Sequence, residues 1–499
     1  MTADVRPSSA ALTAKTVRAV AWVALFELAR GLLYAAMPAV LARFGTARDV
    51  GLAELVFAIY YVASPFVEAG SGAAVIQRPG ASREFLAIVF ATNAATGAAV
   101  ALALWAGATL LAAEARFDPR VVPLLRALSP CMLMAGLTVV PQSLLARRMA
   151  FGVLTAVGVT ATIASGVVAI VLARRGLGAA AIVAALLAHS GTTLIGTWIG
   201  ARWWPSWRFE RGELAGLLRF SMPNAGARLV GDFAGQFERF LVGGVLGSAT
   251  LGLYGAVRGL ARTPFLQLMQ VSDRVLLPAL SSLQHDLPRT RAYYLAAVRN
   301  ELALLGPLVV LVGAASTALV PMIYGPRWSA AVVLVPMMAF ITVRTCTNHS
   351  VGAVFLAQGR PGLQLLWSAI NIPLMLVYFL VGLHWGLTGF ITAWASIGIF
   401  GWAIPHVLAC RVIGMRFRDF LGGLAPVVSA LGLTAILWTA SLWLLPAQGM
   451  GRWRLAAFAP PALLAYAGIL WVCDRRLVED LYGALRGAFL TPRERTARE

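Results

Sequence analysis

Gly45-Thr-Ala-Arg-Asp-Val-Gly51-Leu52 and, about 200 residues later, Gly247-Ser-Ala-Thr-Leu-Gly252-Leu253 say nearly the same thing twice. Further echoes keep the same order. Leu145-Ala146-Arg147-Arg148 returns as Leu356-Ala357-Gln358-Gly359, and Gly176-Leu177-Gly178-Ala179 as Gly386-Leu387-Thr388-Gly389. A strongly apolar chain built from two such halves has the pattern of a two-lobed transporter. It argues against a membrane enzyme with one unique active site.

Composition says what surrounds these halves. Of 499 residues, 59% are hydrophobic and 12% charged, and the mean hydropathy is +0.78. Soluble domains carry about 25% charged residues, so the solvent here is mostly lipid. At about 20 apolar residues per crossing, the apolar runs fall near 17–42, 51–69, 85–113, 121–145, 151–173 and 178–201 in the first half. In the second they fall near 216–246, 251–281, 293–321, 329–357, 363–383 and 387–410, with two more near 420–445 and 454–473. The expected fold is therefore all-α and polytopic, with about 14 transmembrane helices. It divides into a cytoplasmic N-terminus (1–16), an N-lobe (17–205), a C-lobe (206–410), an extra helix pair (411–473) and a basic cytoplasmic tail (474–499).

Charge supports that topology. Loops after odd-numbered spans carry roughly nine arginines, whereas the N-terminus, the even loops and the tail carry roughly 22 basic residues. This places both termini in the cytoplasm of a plasma (inner) membrane protein, with Arg174-Arg175 as the exception. Six spans per half is an even number, so the repeat is parallel. The net charge of +20 sits at span ends and in short loops, which suits anionic headgroups rather than nucleic acid. No loop exceeds about 20 residues, too short for an extramembrane catalytic domain. Cys131, Cys346, Cys410 and Cys473 lie far apart in apolar stretches and read as hydrophobes. No metal spacing or cofactor motif is present; Gly70-Ser-Gly72 lacks the lysine of a phosphate loop.

The informative residues are charges inside apolar spans, each costing about 2.5–3.5 kcal/mol at the bilayer centre. At 100° per residue, span 7 gathers Asn224, Arg228, Asp232, Gln236 and Arg239 on one face. Span 8 aligns Tyr254, Arg258 and Arg262. Span 1 holds Glu27, Arg30 and Tyr34, and span 10 holds Arg344 and Asn348. Such stripes must face protein or water, which points to a hydrated cavity rich in arginine and suited to a phosphate-bearing anion. Arg258, Arg262, Arg228 and Arg344 are the candidate anion ligands. Glu27, Arg30, Asp232, Gln236 and Asn348 are candidate cavity or ion-coupling residues. For Arg228–Asp232 and Glu27–Arg30 a fixed ion pair is the equal alternative. Glu54 and Glu68 read as interfacial, and Arg239 as snorkelling from a span end. Asp273, Arg274 and Arg299 read as closing contacts on the cytoplasmic side.

The chain also resembles the polysaccharide-export branch of the multidrug/oligosaccharidyl-lipid/polysaccharide (MOP) flippase superfamily, the Wzx-like repeat-unit flippases. The matching stretches are Asp49-Val-Gly-Leu52, Gly70 to Arg78, Pro141 to Arg148, Leu218-Arg-Phe-Ser-Met-Pro223, Gly247 to Tyr254 with Arg258, Leu277 to Gln284, and Tyr324-Gly-Pro-Arg-Trp328. The resemblance implies two six-helix lobes around a V-shaped cavity. It implies flipping of an undecaprenyl-diphosphate-linked oligosaccharide for O-antigen, capsule or exopolysaccharide biosynthesis. The partners it implies are that lipid, the bilayer, and polysaccharide polymerase and chain-length proteins. Where such proteins carry an Asp-Asn pair in span 7, this chain has Glu238-Arg239. A drug/cation antiporter of the same fold is the rival reading; a membrane glycosyltransferase or polymerase is a more distant one.

Overall fold

The computed structural model describes residues 39–68, 71–78, 81–113, 118–206, 211–444 and 453–479. Among the described residues every regular element is a helix. The first compact unit is Met1–Gly259, the second Leu260–Glu499. In the first lie α1 (Ala47–Glu68), α2 (Ser71–Gln77), α3 (Arg83–Ala113), α4 (Val121–Leu128), α5 (Pro130–Arg147), α6 (Phe151–Arg174), α7 (Ala179–Ala201) and nearly all of α8 (Arg211–Ala261). The second holds α9 (Thr263–Ser282), α10 (Leu287–Ala314), α11 (Ser316–Ile323), a 3-10 turn at Pro326–Trp328, α12 (Ala331–Ala357), α13 (Pro361–Leu383), α14 (Gly386–Val412), α15 (Phe417–Leu444) and α16 (Trp453–Cys473). Eleven helices among the described residues are long and apolar enough to cross a bilayer, and Ala459–Cys473 is a shorter apolar one.

Helix breaks follow local chemistry. α8 is two limbs joined at Gly247, whose φ of 85° and ψ of 169° suit a residue without a Cβ. Expected span 121–145 is split at Ser129, because Pro130 cannot donate into the preceding turn and begins a new helix. Expected span 251–281 is likewise split: Arg262 has φ −129° and ψ −51° ahead of Thr263-Pro264. The third split divides expected span 293–321 at Ala315. At the start of α1, the Thr46 and Asp49 side chains exchange hydrogen bonds with each other's backbone N–H, at 3.2 and 2.9 Å, a capping box.

The repeat is visible in the packing. In the first unit α3 packs on α5, α6 on α7 and α5 on α7; in the second α10 packs on α12, α13 on α14 and α12 on α14. Matching turns join matching helices. After α5, Met149 takes φ 55° and the Ala150 N–H reaches the Leu145 carbonyl at 2.9 Å. After α12, Gly359 takes φ 65° and the Arg360 N–H reaches the Phe355 carbonyl at 2.8 Å. Both are helix-ending turns of the Schellman kind. They pair Met149 with Gly359, one residue away from the register of the sequence echo. Gly176 and Gly386 again share a positive φ, 81° and 69°. The helix pair outside the repeat sits in the second unit, with α15 packed on α10 and on α16. Tyr294, His406 and Phe420 form part of its core; the Tyr294 hydroxyl lies 2.6 Å from His406 Nδ1, so this histidine is spent on packing.

The first pair of echoed stretches is in direct contact. A Cβ on Gly51 would sit 1.7 Å from the Ser248 carbonyl oxygen, and one on Gly252 would sit 1.8 Å from the Ala47 carbonyl oxygen. Each glycine thus meets the residue four before the other, so α1 and the second limb of α8 cross backbone to backbone with local two-fold symmetry.

Candidate functional site

One turn along that crossing, the first unit buries four charges. Gly255 leaves room for Glu54, since a Cβ there would meet Glu54 Cγ at 2.5 Å. Glu54 Oε2 lies 2.9 Å from Arg239 Nε, and Arg258 Nε lies 2.9 Å from Glu238 Oε1. Arg239 also donates to the Gln236 amide oxygen. Glu54, Glu238 and Arg239 are 5%, 5% and 6% exposed, and Tyr254 is fully buried. These numbers revise two expectations. Glu54 and Arg239 are each other's partner, buried within the unit rather than turned out to its surface. Paired in this way, two carboxylates and two guanidiniums offset much of the cost of their own burial.

The second unit holds a different arginine group. Arg262, displaced from the α8 stripe by the break before Pro264, sets its guanidinium over Trp394, with Cζ 4.5 Å from the ring centroid. Arg344 reaches the same residue from α12, its Nη1 donating to the Trp394 carbonyl at 3.2 Å. Gly398, one turn beyond Trp394, makes the space: a Cβ there would lie 1.8 Å from Arg344 Nη1. One turn along α12, the Asn348 amide donates to the Gly401 carbonyl at 3.3 Å. Arg262 covers the indole and Arg344 holds the backbone carbonyl, so two guanidiniums meet at one aromatic residue.

The expected ligands therefore separate. Arg258 belongs with Glu238, and Gln236 with Arg239. Arg262 and Arg344 come together at Trp394, and Asn348 follows on the same helix. Arg228 and Asp232 lie on the first limb of α8, where helix is described but side chains are not; the same holds for Asp273 and Arg274 on α9. Glu27 and Arg30 lie outside the described residues. Arg299 Nη1 pairs with Asp474 Oδ2 at 3.2 Å, fixing α10 to the segment after α16 within one unit. Asp118 accepts from Arg48 and from the Arg120 N–H at 3.1 Å. Burial works the other way, but the Arg48 guanidinium and the Arg120 N–H hold the Asp118 carboxyl below its ordinary value. Among the described residues no group of three or more His, Cys, Asp or Glu could hold a metal ion.

Comparisons with known proteins agree with this architecture. The fold is that of MOP-superfamily transporters. Over 91% of this chain and 99% of the other, it matches the lipid II flippase MurJ in an inward closed conformation, with a TM-score of 0.71 at 14% identity. Among curated sequences, the amylovoran biosynthesis protein AmsL of Erwinia amylovora is 25% identical over 59% of this chain and 77% of its own length. The lipopolysaccharide biosynthesis protein WzxC of Escherichia coli is 21% identical over 82% of this chain and 84% of its own. Residues 40–333 match the family model described as polysaccharide biosynthesis protein. The chain belongs to that family.

Proposed function

We propose that the protein moves an undecaprenyl-diphosphate-linked oligosaccharide repeat unit from the cytoplasmic to the periplasmic leaflet by alternating access. The glycan serves O-antigen, capsule or exopolysaccharide biosynthesis. The observation that carries this reading is the Arg262–Trp394–Arg344 group. It sets two cations among membrane-spanning helices, where charge is retained only for a reason, and guanidinium forks match the oxygens of a diphosphate. Arg258, by exchanging Glu238 for a phosphate oxygen, and Arg228 are further ligands of the diphosphate contributed by the first unit. The sugars occupy hydrated space, and the polyprenyl tail stays in lipid. Rocking of the two expected lobes, 17–205 and 206–410, then exposes the head to the other leaflet. Glu27 or Asp232 couples the cycle to a proton or sodium gradient.

The test is complementation of a deletion strain with a variant carrying Arg262→Ala and Arg344→Ala, expressed at the normal level. The proposal expects loss of surface polysaccharide with intact lipid-linked precursor. Normal surface polysaccharide in the deletion strain, with altered sensitivity to cationic drugs, would instead establish the antiporter reading.

A further inference from the structure

α12, α13 and α14 enclose a second polar feature in the second unit, a pocket of about 300 Å³. Thr345, Asn348 and His349 line it from α12, and Gln364, Trp367 and Ser368 from α13. Amides, hydroxyls and an indole on helices of a membrane protein are costly to keep unless something polar meets them. Asn348 shows the deficit directly. Its Nδ2 donates to the Gly401 carbonyl, while its Oδ1, itself buried, has no hydrogen-bond partner. Gly352 lies in the wall opposite the Gln364 amide, within ordinary contact distance for a Cβ.

The chemistry of the wall selects a ligand class. No carboxylate, lysine or arginine lines the pocket, so it offers nothing for the diphosphate, which belongs with the arginines. Primary amides and hydroxyls donate and accept together, as the hydroxyls of a sugar do. An indole supplies a flat apolar face with a polar edge, matching the C–H face of a pyranose. The volume lies at the small end of ligand sites, about 300–1,000 Å³, enough for one or two rings and too little for a whole repeat unit. Gln364, Trp367 and Ser368 lie on the first two to three turns of α13, within about 10 Å of its start at 1.5 Å per residue.

We propose that this pocket is a glycan subsite that holds one neutral hexose of the lipid-linked substrate. The proposal rests on the flippase reading above and deepens it: the arginines recognise the diphosphate, and the α12–α13 pocket recognises the sugar next to it.

The experiment compares two probes on the full-length protein in nanodiscs, by native mass spectrometry or microscale thermophoresis. The probes are undecaprenyl diphosphate and the same lipid carrying one glucose or galactose. The unaltered protein binds a glycosylated probe more tightly than the bare one. Trp367→Ala removes that preference, weakening the glycosylated probe by about tenfold, the scale for truncating a central aromatic contact, and leaves the bare lipid unchanged. Gln364→Leu, at an exposed position, weakens the glycosylated probe in the same selective way, and Trp367→Phe restores most of the preference. Equal weakening of both probes, no weakening of either, or release of a co-purified phospholipid as the only effect of Trp367→Ala would overturn the subsite. Failure of the unaltered protein to bind either probe would overturn the flippase reading and the subsite with it. Binding of the bare lipid with no preference for sugar would overturn the subsite alone.

Discussion

Gly252→Ala tests the backbone crossing between α1 and α8. The added Cβ would lie 1.8 Å from the Ala47 carbonyl oxygen, where real Cβ contacts essentially never fall below 3.0 Å. The obstacle is backbone, so no side chain can swing aside, and the helices must part by more than 1 Å on the order of a bond length. Overpacking of this kind costs about 1–3 kcal/mol. Alanine also favours the helix by about 1 kcal/mol over glycine, but that gain is present whether the helices touch or separate and cancels in the equilibrium between the two. The population in which the crossing is open therefore rises about 5- to 150-fold. The assay is the rate of labelling by a membrane-impermeant maleimide at a Ser248→Cys site, in a Cys473→Ser background. The three remaining cysteines are buried. Faster labelling in the Gly252→Ala variant, with a lower melting temperature, is the expected result. A lower melting temperature with unchanged labelling would show that the crossing is a static seam and that the glycines have no part in opening.

Other outcomes follow from the same contacts. Arg239→Leu strands the Glu54 carboxylate and lowers stability in detergent by about 3–5 kcal/mol, and adding Glu54→Leu recovers most of it; a double variant no better than the single one would refute the pairing. Gly398→Ala meets only the tip of Arg344, so thermal stability stays close to that of the unaltered protein while surface polysaccharide falls; an equal loss of both would make Gly398 a packing residue. The Asp118 clasp has a definite pH sign. Its folded-state pKa is depressed, so its stabilisation is complete above the ordinary value of about 3.9 and fades as pH falls through the lower, folded one. Asp118→Asn accordingly lowers the melting temperature at pH 7, with the difference closing in strong acid; a constant difference would place its cause elsewhere.

The repeat could be read in advance because it is written in residues that fix backbone geometry. Gly51, Gly252, Gly176 and Gly386 sit where close approach or a positive φ requires them, so their spacing carried structural meaning without an alignment. Among the described residues eleven helices long and apolar enough to cross a bilayer answer to apolar runs in the sequence, although the one at Gly235–Ala261 straddles the expected spans 216–246 and 251–281. Breaks within spans were signalled by Pro130 and Pro264, but periodicity counted at 100° per residue runs straight through them, which is why Arg262 seemed to share a face with Arg258. Long-range ion pairing was not legible. Glu54 and Arg239 lie 185 positions apart, and nothing local to either marks the other. A hint existed in the repeat itself, because Gly255 stands at the position equivalent to Glu54 and vacates the space its carboxylate fills. The pocket lined by Trp367 and Gln364 was missed although its residues stand at i, i+3 and i+4 on each helix, Thr345, Asn348 and His349 on α12 and Gln364, Trp367 and Ser368 on α13, because neither stripe carries a carboxylate or a guanidinium to mark it inside an apolar span.

The central claim is movement of a lipid-linked glycan between leaflets. The most direct measurement is the leaflet distribution of lipid-linked repeat units in a strain lacking this protein, read by an impermeant enzyme that cleaves exposed glycans from right-side-out and inverted vesicles. The account predicts intact repeat units accumulating on the cytoplasmic face, and their return to the periplasmic face on complementation. An unchanged distribution, with surface polysaccharide still made, would contradict it.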